Sequence, residues 1–191
     1  MPSRAVAYEL IKPSSRWLEV PILLAFNVLL VACAYIAVPL PFSPVPITGQ
    51  TFGVLLVAMA LGRVRGTGVV LAYLAEGAAG LPVFAGGAAG PQVLFGPTGG
   101  YLAGFVAAAF VVGAMAEHGW DRTIFRSIVA MTIGYVVIFT FGLAQLSFFV
   151  PVATLLAMGL TPFIPGMIIK IALAAWILPL IWKRASAEPR A

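Results

Sequence analysis

The chain has 191 residues, of which 62% are hydrophobic and 9% are charged, whereas an ordinary soluble domain has roughly 45–50% apolar and about 25% charged residues. This composition excludes a water-soluble globular domain and is typical of a polytopic membrane protein whose surface faces lipid. The net charge of +5 arises from eleven Lys and Arg residues against six Asp and Glu residues.

Three long stretches of the chain carry no charge, at residues 20–62, 77–116 and 127–169. Each is long enough for two transmembrane helices, since one helix needs about 20 apolar residues. We therefore predict an all-α fold, a single transmembrane domain over residues 1–191 with six helices, at approximately 20–38, 47–62, 66–80, 98–117, 125–146 and 163–182. The second and third helices are short at about 1.5 Å per residue, so length alone also allows a hairpin or broken helices resting against the other spans.

The basic residues lie on one side of this six-helix arrangement. Ten of the eleven fall in the two terminal segments and in or next to the 2/3 and 4/5 connections: Arg4, Lys12, Arg16, Arg63, Arg65, Arg122, Arg126, Lys183, Arg184 and Arg190. The opposite connections, 39–46, 81–97 and 147–162, contain neither Lys nor Arg. The positive-inside rule then predicts cytoplasmic N- and C-termini and a multi-pass protein of the cytoplasmic (inner) membrane. In this interpretation the topology explains the excess of basic residues, so no nucleic-acid partner is expected.

Two charged side chains inside the predicted spans are the first candidates for a binding site. Glu76 belongs to the third span and Lys170 to the sixth, both in the external half and at similar depth. An ionisable side chain at membrane depth costs about 2.5–3.5 kcal/mol on insertion scales, and such residues usually mark functional sites. The two could pair with each other, or Lys170 could extend along its stem to the interface. We favour contact with a small polar ligand, with Lys170 meeting an acidic group and Glu76 accepting from N–H groups.

Two connections beside these charges have unusual sequences. Residues 81–101, LPVFAGGAAGPQVLFGPTGGY, are too rich in glycine and proline to continue a helix, and irregular backbone at membrane depth must be buried in protein or line a cavity. Residues 38–51, VPLPFSPVPITGQT, are held extended by four prolines. This segment includes Gln50, whose amide needs partners when it is buried. Gln50 either contacts a ligand or caps the second helix.

Other functional classes have weaker support. His118 is the only histidine and Cys33 the only cysteine, so we expect no catalytic cluster, no enzyme activity, no cofactor and no metal site. A small-solute channel would need a ring of charges or carbonyls, for which Glu76 would be the candidate. Saturable, tight binding of one ligand would distinguish a carrier from a channel.

Four sequence runs together resemble the BioY family, the biotin-binding S components of energy-coupling-factor (ECF) transporters. They are VPITGQT (45–51), GLPVFAGG (80–87), GPTGGY (96–101) and TPFIPGMIIK (161–170), in this order, and the resemblance covers nearly all the chain after about residue 20. It implies high-affinity binding and uptake of biotin through a pocket near the external face. It also implies an ECF coupling membrane protein and ATPase subunits as partners, which agrees with the lack of a P-loop motif in this sequence. An S component for another vitamin is the nearest alternative.

The resemblance also implies which residues bind the substrate. Carried over by motif, they are Gln50, Gly86, Gly87, Thr98, Gly99, Tyr101 and Lys170. The family pattern usually has an aspartate three residues before the lysine, where this sequence has Met167. We therefore predict that Glu76 compensates, either by holding Lys170 or by accepting the ureido N–H groups of biotin.

Aromatic and small residues complete the predicted contacts. Aromatic side chains could form the apolar wall against the biotin rings; the candidates are Tyr35, Phe84 and Phe95. Small residues of the first span could contact the coupling protein, with internal packing as the alternative; these are Ala25, Ala32 and Ala34. The lipid bilayer is the remaining expected partner.

Overall fold

The computed structural model describes residues 16–187, and most of these residues are helical. The helices are α1 (Arg16–Tyr35), α2 (Gln50–Ala78), α3 (Pro91–Phe95), α4 (Gly99–Glu117), α5 (Ile124–Leu146), α6 (Val152–Gly159) and α7 (Ile164–Ala187). Short 3₁₀ turns lie at Ala85–Gly87 and Thr161–Phe163. The helices α3 and α6 lie in the connections 81–97 and 147–162, where no helix was predicted.

Four helical segments of the described residues are long and apolar enough to cross a bilayer. They are Gln50–Ala78, Gly99–Glu117, Ile124–Leu146 and Val152–Ile181, and Glu19–Tyr35 is a shorter apolar helix. These segments agree with the predicted polytopic membrane protein. The count of six crossings and the side of the termini stay predictions, and Arg4, Lys12 and Arg190 lie outside the described residues.

Helix α2 consists of two halves that fold back on each other at Gly62. This residue has φ 79° and ψ −178°, a backbone conformation that is essentially restricted to glycine. A Cβ atom on Gly66 would lie 2.8 Å from the Cα of Ala58, whereas eight residues along a straight helix span about 12 Å. The predicted second and third helices therefore form a hairpin, one of the alternatives that their short lengths allowed.

A two-stranded antiparallel sheet connects α1 to α2. Its strands are β1 (Ala37–Leu40) and β2 (Ser43–Thr48), with Ala37 opposite Thr48 and Leu40 opposite Ser43. The segment is extended, as its prolines predicted, but the pairing is an addition to the predicted all-α fold. A two-stranded sheet has only edge strands, in which proline is tolerated.

The main hydrophobic core lies where α4 packs between α2 and α5. The side chains of Ala108, Ala109 and Val112 in α4 are fully buried. Helix α7 also packs against α5. This arrangement leaves the sheet, the connection from α2 to α4 and the connection from α5 to α7 together at one end of the bundle.

The predicted small-residue face of α1 needs one correction. Ala25 and Ala32 are exposed, but Ala34 is fully buried in the core. Nine residues at 100° each place Ala34 about 180° from Ala25 around the helix. Ala25 and Ala32 therefore share an outer face, and Ala34 serves internal packing.

Candidate functional site

A cavity opens at the end of the bundle that carries the sheet and the long connections. Its empty volume is about 650 Å³, and this figure includes space that is open to solvent. Polar groups come from Thr48, Gln50, Thr51, Thr98, Tyr101, Tyr135 and Lys170. Aromatic walls come from Phe84, Phe105, Phe139 and Phe163. The site is thus mostly apolar, with a few polar groups.

Among the described residues that line the cavity, Lys170 alone has a charged side chain. Its Nζ donates to the backbone oxygen of Thr48 at 2.5 Å and to Oγ1 of Thr51 at 3.2 Å. An ammonium group has three N–H donors, so one donor stays available for a bound molecule. Within the described part of the chain, no carboxylate forms an ion pair with Lys170. An anionic group of a ligand would therefore find an uncompensated positive charge here.

The predicted pairing of Glu76 with Lys170 is absent from the structure. Glu76 is half-buried, lies outside the cavity lining and forms no ion pair with any described residue. The buried face of this part of α2 carries Tyr73 and Gly77, and a shift of one residue turns a side chain by about 100° around a helix. Glu76 therefore does not hold Lys170 in this structure, and the alternative, contact of its carboxylate with the ureido N–H groups of biotin, stays a prediction. Met167, at the family's aspartate position, lines the cavity instead.

Gln50 is held at both ends of its amide group. Its Nε2 donates to the hydroxyl oxygen of Tyr73 at 2.6 Å, and its Oε1 accepts from Oγ1 of Thr48 at 3.0 Å. Gln50 is only 5% exposed, so these bonds satisfy a buried amide. One N–H of Nε2 remains for a ligand. Gln50 does not cap α2, whose N-cap is Gly49 without a side-chain hydrogen bond, and contact of its amide with a ligand stays a prediction.

The hydrogen bonds of Gln50 and Lys170 share Thr48 and so form one polar network. A further hydrogen bond extends this network from Thr51 to Tyr135. The hydroxyl of Tyr135 donates to Oγ1 of Thr51 at 3.3 Å, and the same Oγ1 accepts from Lys170. The network thereby joins both halves of α2 to β2, α5 and α7. Sequence reasoning missed Thr51, Tyr73 and Tyr135, although a polar side chain in an apolar span is a signal that could have identified them.

The aromatic wall has two parts. Phe84 is 1% exposed and packs edge-on against Tyr73, with ring centroids 5.6 Å apart. On the other side, the ring of Tyr101 lies 6.1 Å from that of Phe139 and 6.4 Å from that of Phe163. The Tyr101 hydroxyl donates to the backbone oxygen of Gly159 at 2.8 Å, which attaches the end of α6 to this wall.

Five of the predicted site residues meet at the cavity: Gln50, Phe84, Thr98, Tyr101 and Lys170. Tyr35 and Phe95 do not line it. Tyr35 is 55% exposed, and its hydroxyl donates to the backbone oxygen of Pro82 at 2.6 Å. Phe95 is 79% exposed. Both side chains project outward because they lie on the outer faces of α1 and α3.

The predicted glycines also lie outside the cavity lining. Gly86 and Gly87 form the 3₁₀ turn after Phe84, and a Cβ on Gly87 would lie 3.7 Å from the Tyr35 hydroxyl oxygen. At Gly99, a Cβ would overlap the backbone oxygen of Leu94. Gly99 therefore allows close packing of α3 on α4, whereas Gly86 and Gly87 have positive φ values of 64° and 84°, which favour glycine.

The chain resembles known proteins in both sequence and structure. The sequence pattern of the BioY family matches residues 12–187. A biotin transporter BioY from Thermotoga maritima is 42% identical over 153 residues, which cover 80% of this chain and 88% of that protein. A biotin transporter BioY from Rhizobium etli is 38% identical over 152 residues, with 72% and 78% covered. In structure, the chain is similar to the S-component for biotin from an ECF-type ABC transporter, with a TM-score of 0.75, 28% identity, and 88% of this chain and 94% of that chain covered. The chain belongs to the BioY family.

Proposed function

We propose that this protein binds biotin and is the substrate-specific component of an ECF-type biotin transporter. The observation that carries the proposal is the position of Lys170, whose ammonium group faces a mostly apolar cavity without a carboxylate partner among the described residues. The relatives and the structural neighbour are named for biotin. Biotin, the ligand in those names, is a carboxylic acid with an apolar ring system, which suits a mostly apolar cavity with one positive charge.

Biotin has a carboxylate on an aliphatic chain and a bicyclic ring system with a polar ureido group. The carboxylate is the group that Lys170 would bind, because a charge-assisted hydrogen bond is the strongest polar contact this cavity can form. The rings would pack against Phe84, Phe139 and Phe163. The remaining N–H of Gln50 and the hydroxyl of Thr98 are then available to the ureido group.

We further propose that the protein crosses the cytoplasmic membrane six times, with both termini in the cytoplasm. The fold-back at Gly62 supports two short crossings in place of one long helix. This topology puts Arg63 and Arg65 on the cytoplasmic side and the cavity on the external side, in agreement with the positive-inside rule.

Energy for uptake would come from partner proteins. The chain has no P-loop, so we propose an ECF coupling membrane protein and ATPase subunits as its partners. Ala25 and Ala32 on the outer face of α1 are the proposed contact with the coupling protein, because small residues allow close helix approach.

Equilibrium binding of labelled biotin to the purified full chain in detergent tests the central proposal. We expect saturable one-to-one binding that unlabelled biotin displaces and that thiamine and riboflavin do not displace. Displacement by another vitamin would reassign the substrate. An absence of saturable binding by a protein with intact helical circular dichroism would contradict the carrier and favour the small-solute channel.

A further inference from the structure

The short helix α3 forms part of the cavity wall. Val93 in α3 and Thr98 just after it both line the cavity. A five-residue helix is far too short to be stable by itself, so the position of this wall depends on contacts with the rest of the protein.

Gln145 on α5 provides such a contact. Its Nε2 donates to the backbone oxygens of Leu94, at 3.1 Å, and Gly96, at 2.7 Å. Both N–H donors of the amide are thereby used. The two acceptors lie at the C-terminal end of α3, where a helix leaves backbone oxygens without partners inside the helix. One side chain thus satisfies the end of α3 and attaches it to the main bundle.

Two motif glycines create the space for this contact. A Cβ on Gly99 would overlap the backbone oxygen of Leu94 and lie 2.6 Å from Nε2 of Gln145. A Cβ on Gly100 would lie 2.6 Å from Cβ of Gln145. The paired glycines after Thr98 therefore serve the approach of Gln145 to α3, which explains why they lie outside the cavity.

We infer that Gln145 is a positioning residue that clamps α3 over the cavity and so sets the rate at which a bound ligand leaves. Gln145 does not line the cavity, so it acts through the position of α3. The inference rests on the proposed function only for the identity of the ligand, biotin.

Gln92 offers a matched control. Its Nε2 also donates to a backbone oxygen, that of Ala89 at 2.7 Å. This bond is local to the connection, so its loss does not separate α3 from α5. Each glutamine is therefore replaced by leucine in a separate variant of the full chain. The release of labelled biotin from each variant is measured after addition of excess unlabelled biotin.

We expect dissociation from Gln145→Leu to be at least ~10-fold faster, which corresponds to about 1.4 kcal/mol. Dissociation from Gln92→Leu should stay within about twofold of the wild-type rate. An unchanged rate for Gln145→Leu, or an equal increase for both variants, would overturn the clamp. Gln145→Glu, which keeps the shape of the side chain but replaces the donor by an acceptor, gives the same test if the leucine variant does not fold.

Hydrogen–deuterium exchange without biotin separates the clamp from the proposed function. In the variants of Gln145, the amide protons within residues 91–98, where Pro91 and Pro97 carry none, should exchange faster, while those of α5 and α7 keep their wild-type rates. Unchanged exchange at 91–98, or an equal rise throughout the chain, would contradict the clamp. If the wild-type protein bound no biotin, the proposed function would fail and this measurement would still decide the role of Gln145.

Discussion

The hydroxyl oxygen of Tyr73 lies 2.6 Å from the amide nitrogen of Gln50, although the two residues are 23 positions apart. On a continuous helix they would be separated by about 34 Å. The fold-back of α2 at Gly62 brings them together. Gln50 lines the cavity and Tyr73 does not, so Tyr73 influences the site by orienting the Gln50 amide.

The variant Tyr73→Phe tests this relationship. It keeps the ring contact with Phe84 but leaves the Gln50 amide nitrogen without its acceptor, and an unsatisfied buried donor costs about 1–3 kcal/mol. We expect the affinity for biotin to fall about tenfold and the melting temperature to decrease. Equilibrium binding and thermal unfolding measure the two effects.

Thr140→Val is the control for the loss of a hydroxyl group. Thr140 donates to the backbone oxygen of Val136 on an exposed face of α5, so this variant should bind biotin with wild-type affinity. Wild-type affinity in Tyr73→Phe would show that the orientation of Gln50 is unimportant for binding.

The charge of Lys170 should determine the preference for a carboxylate. Wild-type protein is expected to bind biotin at least tenfold more tightly than biotin methyl ester, because the ester has no anionic group for Lys170. Lys170→Met removes the charge and should bind the two ligands with similar affinity. Competition binding measures both values.

The methyl ester is the internal control for loss of the fold in Lys170→Met. A correctly folded variant should keep most of its affinity for the ester while it loses affinity for biotin. If the variant still preferred biotin to the ester by the wild-type factor, the carboxylate would bind elsewhere in the cavity.

Gly77 should be necessary for the position of the aromatic wall. A Cβ at this position would overlap the ring of Phe84, which is fully buried and lines the cavity. Overpacking of a core typically costs about 1–3 kcal/mol. We therefore expect Gly77→Ala to lower both the thermal stability and the affinity for biotin.

Gly68→Ala in the same half of α2 is the matched control. A Cβ on Gly68 would meet no atom within 4 Å, and alanine is more favourable than glycine in a helix by about 1 kcal/mol. This variant should be as stable as the wild type or slightly more stable. Equal losses of stability and affinity in both variants would show that this half of α2 tolerates no added methyl group. The overlap with Phe84 would then not explain the effect of Gly77→Ala.

The sequence predicts the class of fold because charge and apolar length are properties of the chain itself. Its uncharged stretches identify the apolar helices, and its prolines identify the extended segment before α2. Lys170 and Gln50 can be recognised in the sequence because a charged or amide side chain is costly in an apolar span unless it has a polar partner.

The details of the site depend on how the segments pack, which spacing along the chain does not reveal. Glu76 and Lys170 have similar predicted depths, but Glu76 lies on a face of α2 that does not line the cavity. Tyr73 and Gln145 acquire their roles only when the fold-back of α2 and the position of α3 are known. The motif glycines were expected to contact a ligand, yet Gly99 serves close packing between chain segments.

The outer face of α1 provides a test of the proposed coupling contact. Leucine in place of the exposed Ala32 should prevent close approach of a partner helix and leave biotin binding unchanged, because the residue lies outside the cavity. Ala172→Leu makes the same change on the exposed face of α7 and should allow assembly. Co-purification with the coupling protein measures assembly. Equal recovery of both variants would show that Ala32 is not part of the contact.

The six-crossing topology can be tested with two exposed positions. Val64 is 71% exposed beside the fold-back of α2, and Phe148 is 86% exposed after α5. The proposed topology puts Val64 in the cytoplasm and Phe148 outside. A single cysteine is introduced at either position after the native Cys33 has been replaced by alanine.

A membrane-impermeant maleimide should label the Phe148→Cys variant in intact cells. The Val64→Cys variant should react only after the cells have been permeabilised, because the fold-back at Gly62 returns the chain from the cytoplasmic surface. A continuous α2 that crossed the bilayer once would instead place position 64 in the hydrocarbon core, where labelling would be poor under both conditions. Labelling of both positions from the same side would contradict the proposed crossings between α2 and α5.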